Sequence, residues 1–120
     1  MEILRKIDLF QKEIHALRPM EGEMLGQIQE YYRIGLTWTS NALEGNSLTE
    51  SETKVLLEDG LTVGGKPLRD VLEAVDHARA YDFMFSVFRD RRIDEQTVLK
   101  MHGLFYQNIE PGYAGRYRDV

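Results

Sequence analysis

Apolar residues in this chain recur every three or four positions, the spacing that gathers side chains on one face of an α-helix. Ile3, Ile7, Phe10, Ile14 and Leu17 form one such stripe, with Arg5, Lys12, Glu13 and Arg18 on other faces. The stripe covers barely two heptads, so packing within a bundle is expected rather than a coiled coil. Pro19 ends this helix, because the residue before a proline is pushed out of the α region. A second helix is predicted from Glu21 to Glu44, its buried face made by Leu25, Ile28, Tyr32, Leu36 and Leu43, with Tyr31 and Trp38 alongside. Arg33, Thr37, Ser40 and Glu44 lie along a separate polar line of the same helix.

Local signals divide the rest. Gly45 and Asn46 stop the second helix. Thr49 followed three residues later by Glu52 is a capping box, opening a short helix that ends around Glu58, with Gly60 just beyond. Val55, Leu56 and Leu57 give it an apolar side. Pro67 suits a helix first turn, and the fourth helix runs from there to about Arg89. Its buried face carries Val71, Ala74, Val75, Ala78, Tyr81, Phe85 and Phe88. After the polar connection Arg89-Asp90-Arg91-Arg92, Asp94 caps a fifth helix, and Ile93 with Val98 has the spacing of a hydrophobic staple. Val98, Met101, Leu104 and Phe105 carry that helix inward until Pro111-Gly112 turns the chain. The expected fold is all-α, a single-domain bundle of about five helices.

Composition excludes several function classes. At 120 residues the chain suits one domain. It has no cysteine, which rules out disulfide scaffolds and cysteine-ligated zinc and fits a reducing, cytoplasmic setting. A net charge of −5 argues against a domain that grips nucleic acid. No apolar run reaches the roughly 20 residues of a membrane helix.

Most candidate motifs dissolve on inspection. Gly60 to Lys66 has the spacing of a phosphate-binding loop, but Pro67 replaces the Ser or Thr that would hold magnesium, and a capped helix precedes it instead of a strand. His15, His77 and His102 fall on three helices without metal-ligand spacing, and two surface histidines with one packed are expected. Tyr113 to Arg118 brackets an aromatic with arginines, and Tyr117 with Val120 suits the start of a strand. One feature resists a bland account. Glu44 places a carboxylate on a last helical turn, where the helix dipole already concentrates negative charge. Ser40, Asn41, Ser47 and Leu48, three and four residues to either side, supply no cation, and Arg33 is about 16 Å away along the helix.

Ser40-Asn41-Ala42-Leu43-Glu44-Gly45-Asn46 resembles the inhibitory motif of Fic proteins: Ser or Thr, three residues, Glu, then Gly or Asn. The likeness continues through Ser47-Leu48-Thr49, Leu56 to Gly60, Val63 to Leu68, and a long helix containing Glu73 and His77. The closing Ala114 to Arg118 resembles the segment that leads into the family's β-hairpin flap. The resemblance implies an N-terminal helical region over residues 1–64 with an inhibitory helix. Residues 65–120 then form the first part of the Fic core, both in one compact domain.

Most Fic proteins transfer AMP from ATP to a hydroxyl side chain of a target protein, with magnesium. Their catalytic loop, His-x-Phe-x-(Asp/Glu)-Gly-Asn-Gly-Arg-x-x-Arg, does not occur here, and His102-Gly103-Leu104-Phe105 does not fit it. The resemblance therefore gives no catalytic, cofactor-binding or metal residue in this chain, which alone is expected to be inactive. ATP and Mg are implied only for the complete enzyme, as is a target protein met through the catalytic half. Self-association into a homo-oligomer is implied by the family alone. What transfers is regulation: Ser40, Glu44 and Gly45 match the inhibitory positions. In the family the glutamate pairs with the loop's last arginine and blocks the γ-phosphate position. The alternative is a free-standing, antitoxin-like helical inhibitor acting in trans on a separate Fic enzyme.

Overall fold

The structure, a computed structural model, describes residues 1–17, 21–90 and 92–119, with the backbone alone at 88–90. It is all-helical: α1 (Glu2–Ala16), α2 (Gly22–Leu43), α3 (Glu50–Asp59), α4 (Leu68–Asp90) and α5 (Glu95–Tyr106). No described residue lies in a strand, and residues 116–119 are in neither helix nor strand. The expected stop at Pro19, the buried Phe88, the Arg89–Arg92 connection in part, and Val120 fall outside the described residues or side chains.

α4 is the centre of the molecule, packing against α2, α3 and α5, while α2 also meets α3. Small residues make this possible. Ala74, Ala78 and Ala80 are at most 1% exposed, so α4 presents a low surface that neighbouring helices approach closely. Leu48, Leu56, Val71 and Ala74 form the apolar core, with Val75 against it.

The packing expected of α1 and α2 fails. α1 keeps its apolar stripe, yet it packs against none of the other helices, and the five stripe residues are 54–69% exposed. On α2 the expected buried face is turned out: Leu43 is 88% exposed, Tyr32 and Leu36 are exposed, and Leu25 and Ile28 are half-buried. Ile34 and the polar Thr37 are buried instead. Thr37 Oγ1 lies 2.8 Å from His77 Nδ1 of α4, and the Arg33 guanidinium grips both carboxylate oxygens of Asp82 at 3.0 and 3.3 Å. Polar groups that are paired across a helix contact tolerate burial. Arg33 and Thr37 of the polar line are thus part of the α2–α4 seam, while Ser40 and Glu44 stay exposed.

Local start signals hold. Thr49 Oγ1 accepts the Glu52 N–H at 3.1 Å while Glu52 accepts the Thr49 N–H at 3.1 Å, completing the capping box. The Asp94 carboxylate accepts the Thr97 N–H at 2.8 Å, but Ile93 and Val98 stay exposed and bury no staple. Thr49→Ala removes the first of these caps. Urea unfolding is expected to show a loss of about 1 kcal/mol with an unchanged denaturant slope.

Candidate functional site

The end of α2 is built as a helix stop with a carboxylate on it. Gly45 N–H donates to the Ala42 carbonyl at 3.1 Å, and Asn46 N–H donates to the Asn41 carbonyl at 2.9 Å, the paired bonds of a Schellman turn. The turn needs positive φ at its centre, and Gly45 supplies it at +92°. Glu44 is the C-cap, its backbone still near-helical at φ −91° and ψ 8°.

The turn is then fixed to α4. Asn46 Nδ2 donates to the Asp70 carbonyl at 2.9 Å, and its Oδ1 accepts the Leu48 N–H at 2.9 Å. Asp70 Oδ2 accepts both the Ser47 N–H, at 2.9 Å, and the Ser47 hydroxyl. These bonds hold the Asp70 carboxyl below the usual aspartate range. Lys66 Nζ donates to the Ser47 carbonyl at 2.9 Å and sits 3.4 Å from Glu52. The near-match to a phosphate loop therefore ends on a lysine already engaged in holding this turn.

Beside the turn lies a cavity of about 490 Å³, lined by Asn41, Glu44, Arg69, Asp70, Glu73 and Phe105 among others. Three of these are carboxylates and one is a guanidinium. Arg69 is committed to Glu73, Nε to Oε1 at 3.5 Å. Burial pushes the Glu73 carboxyl above its ordinary range, Arg69 opposes this, and the Asp70 and Glu44 charges add to the rise. The Glu44 side chain is exposed and has no hydrogen bond or ion pair among the described residues.

Glu44 and Gly45 thus meet at the cavity, whereas Ser40 is exposed on α2 one turn earlier and does not line it. Asn46, Lys66, Arg69 and Asp70 were not singled out by sequence as site residues. They are brought in by contacts 19–24 residues apart, with no local signal except the i,i+4 spacing of Arg69 and Glu73. A cavity dominated by carboxylates does not by itself suit a nucleotide's phosphates. Among the described residues no group of three or more His, Asp or Glu could hold a metal ion.

The histidines differ from expectation. His15 is the exposed one, on α1. His77 and His102 are both half-buried, and burial holds the His77 imidazole below its ordinary value. His102 Nδ1 accepts the Gly115 N–H at 3.0 Å. A Cβ at Gly115 would stand 3.3 Å from the Leu99 carbonyl, so glycine lets the Tyr113–Arg118 segment lie against α5. Tyr117 hydroxyl donates to Glu95 at 2.6 Å, fastening that segment's far side.

No protein-family model matches the chain. It is 32% identical over 82 residues to "Protein adenylyltransferase fic-1" of Caenorhabditis elegans, covering 66% of this chain and 16% of that protein. It is 29% identical over 121 aligned positions to "Protein adenylyltransferase Fic" of Nematostella vectensis, covering 99% of this chain and 28% of that protein. A third similar protein is the fic-1 protein adenylyltransferase of Caenorhabditis briggsae, at 30% identity over 66% of this chain. The chain spans between about one-sixth and just over one-quarter of the length of these relatives.

Proposed function

We propose that this chain is the N-terminal regulatory portion of a Fic-type protein adenylyltransferase, with Glu44 as its inhibitory glutamate. Similarity to proteins named as Fic adenylyltransferases supports the kind of activity. The observation that carries the regulatory role is Glu44 itself. An exposed carboxylate at a helix C-terminus, on a turn fixed by Gly45, Asn46 and Asp70, forms no ion pair among the described residues. Arg69, the one guanidinium on the same cavity among the described residues, is paired with Glu73.

A carboxylate so placed is ready to accept a bidentate bond from an arginine of the catalytic half. While it does so, that arginine is withheld from the γ-phosphate of ATP. The excess of carboxylates around the cavity acts in the same direction, repelling a phosphate that approaches Glu44. Ser40 precedes Glu44 by one turn on the same line of α2, and Gly45 sets the turn that aims it. Nucleotide, magnesium and the protein target are met by the catalytic half.

The test is AMP transfer from ATP bearing an α-phosphate label. The pure 120-residue chain is expected to label neither itself nor added protein. Labelling by this chain alone would overturn the assignment of chemistry to the other half. Suppression of an uninhibited Fic enzyme by the added chain would favour the trans-acting inhibitor instead.

A further inference from the structure

Between α3 and α4 the chain runs from Gly60 to Pro67 outside any helix. Both ends of this stretch are fixed. Gly60 closes α3 with a φ of +67°, and Lys66 donates to the Ser47 carbonyl at 2.9 Å. Between these anchors Leu61 and Thr62 are exposed, and neither their N–H nor their C=O groups pair with another described residue. Backbone groups in a folded chain are mostly paired. A stretch that leaves them open can lay its main chain along another protein, as peptides do when they add to a sheet edge. Gly64 and Gly65 follow directly, with φ of +83° at Gly65, so the path can adapt there.

The hydroxyl in this stretch is also free. Every serine and threonine of the chain lies among the described residues, and all but Ser47, Thr49 and Thr62 are in helices. The Ser47 hydroxyl donates to Asp70, and the Thr49 hydroxyl caps α3. The Thr62 hydroxyl has no hydrogen bond among the described residues. The tyrosines outside the helices are tied down in other ways. Tyr117 donates to Glu95, and Tyr113 sits in a turn, its N–H bound to the Glu110 carbonyl. Thr62 alone combines a free hydroxyl with free backbone on a non-helical segment, among the described residues.

We propose that Thr62 is the residue of this chain that receives AMP when the brake at Glu44 is released. The inference rests on the transfer activity proposed for the complete protein and names an acceptor for it. Thr62 Oγ1 attacks the α-phosphorus of ATP. The Oγ1–P bond forms as the bond from that phosphorus to the bridging oxygen breaks. Pyrophosphate leaves with the electron pair, and the hydroxyl proton passes to a base of the catalytic half. A hydroxyl with no bond to the fold aligns with that base without first losing a partner. Hydroxyls on the helices are flanked by backbone already closed into i→i−4 bonds, whereas Thr62 can enter a cleft with the residues on either side of it.

The test uses the complete protein carrying Glu44→Gly, incubated with ATP labelled at the α-phosphate. Fragmentation mass spectrometry is expected to place AMP on Thr62. Thr62→Val is expected to cut the label on residues 1–120 at least fivefold at unchanged melting temperature, and Thr62→Ser to restore it. AMP on Tyr113 or any other residue, with none on Thr62, would overturn the inference and leave the transfer activity standing. So would a loss in Thr62→Val that Thr62→Ser fails to restore, because the position then supports the reaction without accepting AMP. No label anywhere in the Glu44→Gly protein would overturn the transfer activity itself, and its acceptor with it.

Discussion

In the complete protein, Glu44→Gly is expected to raise auto-modification by AMP at least tenfold. The size follows from the bond at stake. A charge-assisted hydrogen bond contributes roughly 1.5–3 kcal/mol, and each 1.4 kcal/mol is tenfold in an equilibrium. If that bond holds an arginine away from ATP, its loss returns about 10- to 100-fold of competent enzyme. The substitution should leave the fold alone. Glu44 is exposed, its backbone needs no special residue, and the Schellman bonds come from Gly45 and Asn46. The measurement is label incorporated per minute beside the melting temperature. Unchanged incorporation at unchanged stability would remove Glu44 from inhibition.

The second large effect is expected at Asp70. Asp70→Ala strips the acceptor from the Ser47 N–H and hydroxyl together, and frees the segment that joins α2 to α3. Loss of about 1–3 kcal/mol of unfolding free energy is expected, because hydrogen bonds to a charged group are among the stronger ones. Asp70→Asn should recover part of it, since an amide oxygen still accepts one bond. The pH dependence has a definite sign. Asp70 titrates below its unfolded value of about 3.9, so its contribution is complete above that pH and disappears as the pH falls through the folded value. Wild-type protein should therefore lose stability more steeply than Asp70→Ala as the pH falls below about 4. Parallel acid curves would show that the Ser47 bonds carry no stability. In the complete enzyme Asp70→Ala should also raise auto-modification, by less than Glu44→Gly, because the glutamate remains but its turn is no longer fixed.

What the sequence disclosed and what it hid divide by range. The Thr49–Glu52 capping box, the Asp94 cap and the Gly45–Asn46 stop are each complete within a few residues, so residue type and spacing suffice. The absence of a cation within four residues of Glu44 along the chain was legible in the same way. The packing face of α2 was not. Hydropathy ranks Leu36 and Leu43 above Thr37 and Arg33, yet the latter pair find His77 and Asp82 forty or more residues away and are carried into the seam. Nothing in α2 alone announces those partners. The same applies to Asp76, wholly buried on α4, whose Oδ1 accepts from Asn108 at 2.8 Å. At the site, Glu44 and Gly45 were visible from their motif. The carboxylates that surround them, and Asp70 and Asn46 that fix them, arise only when α4 is laid beside the turn.

The most direct test of the brake compares two nucleotides. ADP lacks the γ-phosphate for which Glu44 is proposed to compete, and ATP has it. Calorimetric titration of the complete protein, with and without Glu44→Gly, should show ATP binding tightened at least tenfold while ADP binding stays within twofold. Equal gains for both nucleotides, or none for either, would contradict a role for Glu44 at the γ-phosphate.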